Sequence, residues 1–314
     1  MKYTTLPFEK AKTYPLKDRK SKVSTDLLGK PFKDGSFRDF LSTLPQFLGA
    51  KDFQETVSAI VKAKQEQRTV ILGMGAHPVK VGLSPIIINL IEKGVISAIC
   101  TNGACTIHDF ELAFGGQTSE DVAAELSRGC FGMAEETGYH LNAAINKSVA
   151  SGSGGIGHAV GKYIEESDFP YKTLSIFAAA YRHDIPATVH VAMGTDIIHM
   201  HPQADGALIG EGSMRDFRLL TSVVAHLNKG VYLNLGSAVI LPEVFLKALN
   251  LARNLGFEVK ELTTVNMDFI QHYRARENVL KRPAMDGGKW YALTGHHEIM
   301  FPLLAAAILD RLEE

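Results

Sequence analysis

The sequence predicts an α/β fold: a doubly wound, Rossmann-like parallel sheet with helices on both faces and an N-terminal helical arm. Two observations carry this. Short runs such as TVILGMG (69–75) and VISAICTNGA (95–104) are closed by glycines and rich in β-branched residues, as strands buried on both faces must be. Between and after such runs come stretches of helical period, so strand and helix alternate along the chain. Hydrophobic residues make up 46% of the 314 and charged residues 21%, which supplies a core and excludes a disordered chain.

Residues 1–50 read as the arm. They are rich in Lys, Asp, Pro and Gly, with short apolar groups (Leu27, Leu28; Phe37, Phe40, Leu41) that suit one or two short helices packed on a neighbouring subunit. Residues 51–314 read as one dinucleotide-binding α/β domain. In 53–67 the positions Val57, Ile60 and Val61 recur at helical spacing. LSPIIINLIEKG (83–94) is a helix closed by Gly94, so it joins the two strands into a right-handed βαβ unit. The alternation continues with helices over 119–138, 157–166 and 173–182, a strand over 187–192, a helix over 215–228 and a strand over 231–235. A helix over 242–255, a strand over 258–265 and a closing helix over 298–312 complete the expected order, without repeats.

Charge and cysteine content exclude several classes. Lys and Arg number 33 against 34 Asp and Glu, and no basic block stands out, so the chain has no electrostatic footprint for nucleic acid. Cys100, Cys105 and Cys130 are too few for a disulfide framework, and a reducing cytoplasm is the expected compartment. The opening MKYTTLPFEKAKTYPLKDRK lacks the apolar centre of a signal peptide. The apolar run IMFPLLAAAIL is 11 residues and holds Pro302, too short to span a bilayer.

Ligands of such sheets sit beyond the carboxyl ends of the strands. The loops expected there are 73–82, 101–109, 193–202, 236–243 and 264–268, each dense in Gly, Asn, Thr, Asp or His. Gly73 and Gly75 follow a strand, and Lys80 lies near enough to add a charge for a phosphate. A full G-x-G-x-x-G stands at Gly152, Gly154 and Gly157, but it follows a helical stretch, so a plain glycine loop is the expectation. His199 and His201 would share one face of an extended segment, and His296 and His297 precede Glu298. With Asp196 these histidines could hold zinc or iron, bind a polar ligand, or carry protons. No G-x-S-x-G elbow is present, Cys105 reads as a small buried thiol, and Lys281 and Lys289 are loop lysines able to form an imine if desolvated.

Read in order, the segments VILGMGAHPVKVGLSPIIINLIEKGVISAICTNGA, IPATVHVAMGTDIIHMH, GVYLNLGSAVILPE, TTVNMD and EIMFPLLAAAIL resemble the deoxyhypusine synthase family over roughly 55–312. The resemblance implies a Rossmann-like NAD enzyme, a homotetramer with active sites between paired subunits. That family oxidises spermidine with NAD, captures the butylimine on a lysine and passes it to a lysine of a translation factor. By position it implies NAD contacts from Gly75, Ala76, His77, Lys80, Asn102, Gly103, Ala104, Gly236, Ser237, Thr263, Thr264, Asp268 and His297. It implies substrate contacts from His108, Asp109, Asp196 and Glu243; His199, His201 or His296 could remove or return protons near neutral pH. Lys281 is the nearest counterpart of the catalytic lysine, although the family's Trp-Gly-Lys signature is missing. Ile107 and His108 stand where the family has consecutive acidic residues. The expected substrate is therefore an amine, oxidised with NAD and transferred as an alkyl or aminoalkyl group. The alternatives are a metal-dependent hydrolase or lyase on the same fold, or an inactive ligand-binding homologue.

Overall fold

The computed structural model describes residues 2–313. Six strands form one parallel sheet in the order β3-β2-β1-β4-β5-β6. They are β1 (Val70–Met74), β2 (Ala98–Asn102), β3 (Ala187–His190), β4 (Val231–Leu235), β5 (Thr263–Asp268) and β6 (Lys289–Thr294). Each central strand is buried on both faces. On β1, Val70, Leu72 and Met74 enter one core layer while Ile71 enters the other; on β4, Tyr232 opposes Val231, Leu233 and Leu235 in the same way.

The first part of the chain folds as three short 3-10 turns, then α1 (Phe37–Ser42) and α2 (Leu48–Gln65). Between β1 and β2 lie α3 (His77–Lys80) and α4 (Ser84–Glu92). Between β2 and β3 lie α5 (Gly103–Gly115), α6 (Val122–Leu126), α7 (Glu135–Ala150), α8 (Ile156–Glu165) and α9 (Ile176–Arg182). Then follow α10 (Gly206–Ala225) after β3, α11 (Ile240–Asn254) after β4, α12 (Tyr273–Ala275) running into a π-helical turn (Arg276–Lys281), and α13 (His297–Leu312) after β6. Side chains of α4 join the first core layer, those of α11 the second. The chain leaving β1 and the chain leaving β4 therefore turn to opposite faces, and a crevice opens between neighbouring strand ends.

Several expectations shift. The loop expected over 101–109 is the last of β2 and the first turns of α5. Most of the helix expected over 119–138 is loop around α6, because Gly129 and Gly132 take left-handed φ values of 69° and 73° that break it. The fifth strand begins at Thr263, so TVNMD is strand and not loop. β6 falls where the sequence predicts loop; its alternating burial, with Lys289 and Trp290 exposed, lacks the apolar run of the inner strands. Residues 2–26 are all exposed.

The glycine motif serves packing. A side chain at Gly157 would strike the Ala187 carbonyl at the start of β3, and one at Gly155 would strike Asp216. Asp216 of α10 accepts backbone N–H groups from Gly157 (3.0 Å) and Val189 (2.8 Å), tying α8 to the edge strand. Among the described residues no helix is long and apolar enough to cross a membrane.

Candidate functional site

The turns after the strands continue the ladder before they diverge. Gly75 N donates to Leu235 O (3.2 Å), Gly236 N to Met267 O (3.1 Å) and Gly295 N to Asp268 O (3.2 Å). At the switch point a Cβ on Gly75 would lie 2.7 Å from the Gly236 carbonyl, so only glycine lets the two loops meet. Gly236 has φ +65°, and its bare Cα is covered by the His297 ring, 2.7 Å from where a Cβ would be.

Rings from three loops gather there. The His77 and His297 centroids are 5.2 Å apart, Phe269 is 5.8 Å from His77 and 5.6 Å from His297, and Phe269 stacks on His296 at 6.3 Å. Phe269 and His296 are exposed, while His297 is buried, its Nε2 facing Met267 O and lying 3.6 Å from Asp268 Oδ1. Burial pulls the His297 pKa down. Its Nδ1 has no hydrogen-bond partner, nor does Oδ1 of the neighbouring Asn234, whose amide donates to Asn266 (2.7 Å) and to Ser237 O (2.9 Å).

A second group lies over β2 and β3. Asp196 rests on Gly103, the first residue of α5, where any side chain would strike its carboxylate. Burial pushes Asp196 up to about 6, and Oδ2 has no hydrogen-bond partner. The segment 197–200 is a 3-10 turn, so His199 and His201 do not share a face. His199 Nδ1 accepts N–H groups from Gly194 (3.1 Å) and Asp196 (3.4 Å), which leaves the proton of the neutral ring on Nε2, unpartnered and 3.9 Å from Asp196 Oδ2. A pocket of about 220 Å³ opens beside this pair, lined among others by Lys80, His108, Glu111, Glu120 and Asp196.

Of the residues singled out in the sequence, Gly75, Ala76, His77, Lys80, Asn102, Gly103, Ala104, Gly236, Ser237, Asp268, His296 and His297 stand at or just beyond strand ends on this edge, with His108, Asp196 and His199. The others require correction. Lys281 ends the π-helical turn: its neighbour Leu280 offers its carbonyl to Thr264 Oγ1 (3.3 Å), near the amino end of β5, and Lys281 is exposed and paired with Glu277 (2.7 Å). Thr263 and Thr264 open β5, so they too sit at the opposite end of the sheet. Asp109 is sealed inside, accepting Ile176 N (2.7 Å), Phe177 N (3.4 Å) and the Ser175 hydroxyl to cap α9. His201 is buried against Gly138 and bonds Gly132 O (2.8 Å). Glu243 is taken up by Lys247, Arg274 (2.6 Å) and Asn278 (2.7 Å), and the Lys247 contact in particular holds its carboxyl below the usual range. Burial raises the thiols of Cys100, to about 12, and of Cys105, so neither is a nucleophile near neutral pH. Among the described residues no three His, Cys, Asp or Glu side chains come together as metal donors.

The sequence reading missed Phe269, Asn234 and the group around Glu111. An asparagine inside the apolar strand VYLNL was a readable signal, since buried amides need a reason; an exposed Phe after a strand is not.

The residues present fit a nicotinamide dinucleotide at its ring end: an aromatic shelf, glycines permitting close approach, and orphaned polar atoms beside it. Asp196 keeps a phosphate away from the amino end of α5, and the glycine motif is elsewhere.

No family model matches the chain, and no curated relative does. Solved structures match its fold. The chain is similar to ArgZ, an arginine dihydrolase from the ornithine-ammonia cycle in cyanobacteria (TM-score 0.53, 13% identity, 85% of this chain and 34% of that one). It is similar to AgrE solved with ornithine and NAD+ (TM-score 0.52, 14% identity, 83% and 33%). It is also similar to a candidate deoxyhypusine synthase from Entamoeba histolytica (TM-score 0.53, 14% identity, 90% and 96%). The chain spans about a third of ArgZ and AgrE, and nearly all of the third protein. At these identities the likeness is one of fold.

Proposed function

We propose that the chain binds NAD along the carboxyl edge of its sheet and oxidises an amine-bearing small molecule, passing an alkyl or aminoalkyl group to an amine acceptor as a deoxyhypusine synthase-like transferase. One observation carries the reading: buried polar atoms without partners stand at the strand ends in two groups, Asn234 and His297 at the exposed aromatic shelf and Asp196 and His199 over β2 and β3. Unpartnered buried polar groups are costly, and they cluster where a ligand supplies the partner. The fold is shared with AgrE, solved with ornithine and NAD+, and with the Entamoeba protein.

Phe269 and His296 would stack on the nicotinamide ring, Gly75 and Gly236 would admit it closely, and His297 would hydrogen-bond it. Bound there, NAD supplies a hydride acceptor for the carbon that carries the amine. The Asp196 carboxylate, its pKa near 6 and faced by His199 Nε2–H, removes a proton from the substrate ammonium and becomes the carboxylic acid. Because Lys281 stands at the far end of the sheet, the acceptor amine adds directly to the imine carbon and the original nitrogen leaves as the free amine, without a lysine-bound intermediate of this chain; the new imine would then take the hydride back and end as the alkylated acceptor.

Binding tests this. Millimolar NAD raises the melting temperature, since saturation at 100 times Kd adds about 2.7 kcal/mol. Phe269→Ala weakens binding roughly 3- to 10-fold through lost stacking. No shift with NAD sinks the reading. We further infer a homo-oligomer, tetrameric by resemblance: Met193, Val239, Phe269, Ile270, Tyr273 and Ile299 form an exposed apolar rim around the site. Light scattering checks it.

A further inference from the structure

We propose that the pocket over α5 selects a zwitterionic amino acid, its ammonium held by His108 Nε2 and Asp196 and its carboxylate by Lys80. The amine-oxidation reading underlies this proposal, which narrows the substrate to a class.

Glu111 fixes the tautomer of His108. Its Oε1 accepts the Thr137 hydroxyl (3.2 Å) and its Oε2 the Thr118 hydroxyl (2.5 Å), two donors converging on one carboxylate. Thr118 has a single proton, and it is spent on Glu111. Toward His108 Nδ1, 2.7 Å away, the Thr118 oxygen can only accept, so Nδ1 must carry a hydrogen. The other nitrogen of a neutral ring is then a bare acceptor, and Nε2 has no partner among the described residues. Burial, and secondarily Lys80, pull the His108 pKa down to about 4, so the ring is neutral near pH 7.

Three carboxylates line the pocket: Glu111 is taken by Thr118 and Thr137, Glu120 Oε1 accepts Gly132 N (2.8 Å), and Asp196 Oδ2 is buried without a partner; beside them His108 Nε2 is an acceptor, and Lys80 is exposed and makes no ion pair among the described residues. Acceptors for a donor beside a cation for an anion describe a ligand carrying both charges. A volume of about 220 Å³ lies below the ~300–1,000 Å³ of drug-sized clefts, so a small metabolite is the right scale. A polyamine would fill the acceptors but leave Lys80 facing like charge.

The test uses the full chain and a matched pair of probes, L-lysine and 1,5-diaminopentane, which differ only by the carboxylate. Calorimetry without NAD should show L-lysine binding roughly tenfold tighter than the diamine, with the preference lost in Lys80→Ala. Nitrogen-15 correlation spectra of the His108 ring, assigned with His108→Gln, should show Nδ1 protonated and Nε2 bare at pH 7. Thr118→Val should lose that tautomer and Thr118→Ser keep it. Equal or tighter binding of the diamine, no binding of either probe, or an Nε2–H ring in the unaltered protein overturns the proposal. Neither readout needs the dinucleotide, so L-lysine binding without NAD binding would fell the oxidation reading and leave this one standing.

Discussion

Gly103 shows how much one absent side chain decides. The Asp196 carboxylate lies where a Cβ would go, so Gly103→Ala must push Asp196 off the start of α5. Overpacking of this kind costs about 1–3 kcal/mol, and a urea midpoint lowered accordingly is the expected outcome. Amine-substrate affinity should fall with it, because Asp196 Oδ2 would leave the pocket. His108 makes the opposite point. Its type alone says nothing about which nitrogen is free; the tautomer is set by Thr118, ten positions on, and by Glu111.

Asp216 acts between elements. It belongs to α10, yet the groups it satisfies are on α8 and β3, and burial raises its pKa to about 7. Asp216→Ala leaves two buried N–H groups without an acceptor, each worth about 1–3 kcal/mol. Hydrogen exchange at Gly157 and Val189 should then speed up before the rest of the sheet responds. The inner strands were legible because burial on both faces leaves continuous apolar runs, and β4 falls where the run VYLNL predicts. The edge strand β6 was not, since half of it faces solvent and its composition is that of a loop. The site divides in the same way. Glycine-bearing turns after recognisable strands lie at the carboxyl edge, whereas Lys281, Thr263 and Thr264 lie toward the amino end, because β6 is not legible and β5 starts later than its apolar run suggests. Without β6, nothing in the sequence says that the chain has returned to the amino end of the sheet before Lys289.

For the molecule as a whole, three buried acids set a pH dependence. Burial raises Asp109 and Asp196 to about 6 and Asp216 to about 7. On these three groups the folded chain holds more protons than the unfolded one, whereas buried His108 and His190, held down to about 4, hold fewer below the ordinary imidazole value of about 6.5; above that value the acids prevail and stability falls as pH rises. The acids' contribution is complete below about pH 4, the unfolded carboxylate value, and is lost as pH passes through about 6 and 7. Urea unfolding from about pH 6.5 to 8 should show that decline, and Asp216→Asn should flatten it.

The same α10 carboxylate has a further effect on how copies of the chain can meet. On the outer side of β3, Val189 N goes to Asp216, Val191 N to the Ser213 hydroxyl (3.1 Å), and that hydroxyl returns a bond to Val189 O (3.2 Å). The outward peptide groups of this border strand are spent on a helix of their own chain. A foreign strand finds nothing to zip onto, so this border is sealed against runaway sheet growth, and subunits must join there through helices and loops.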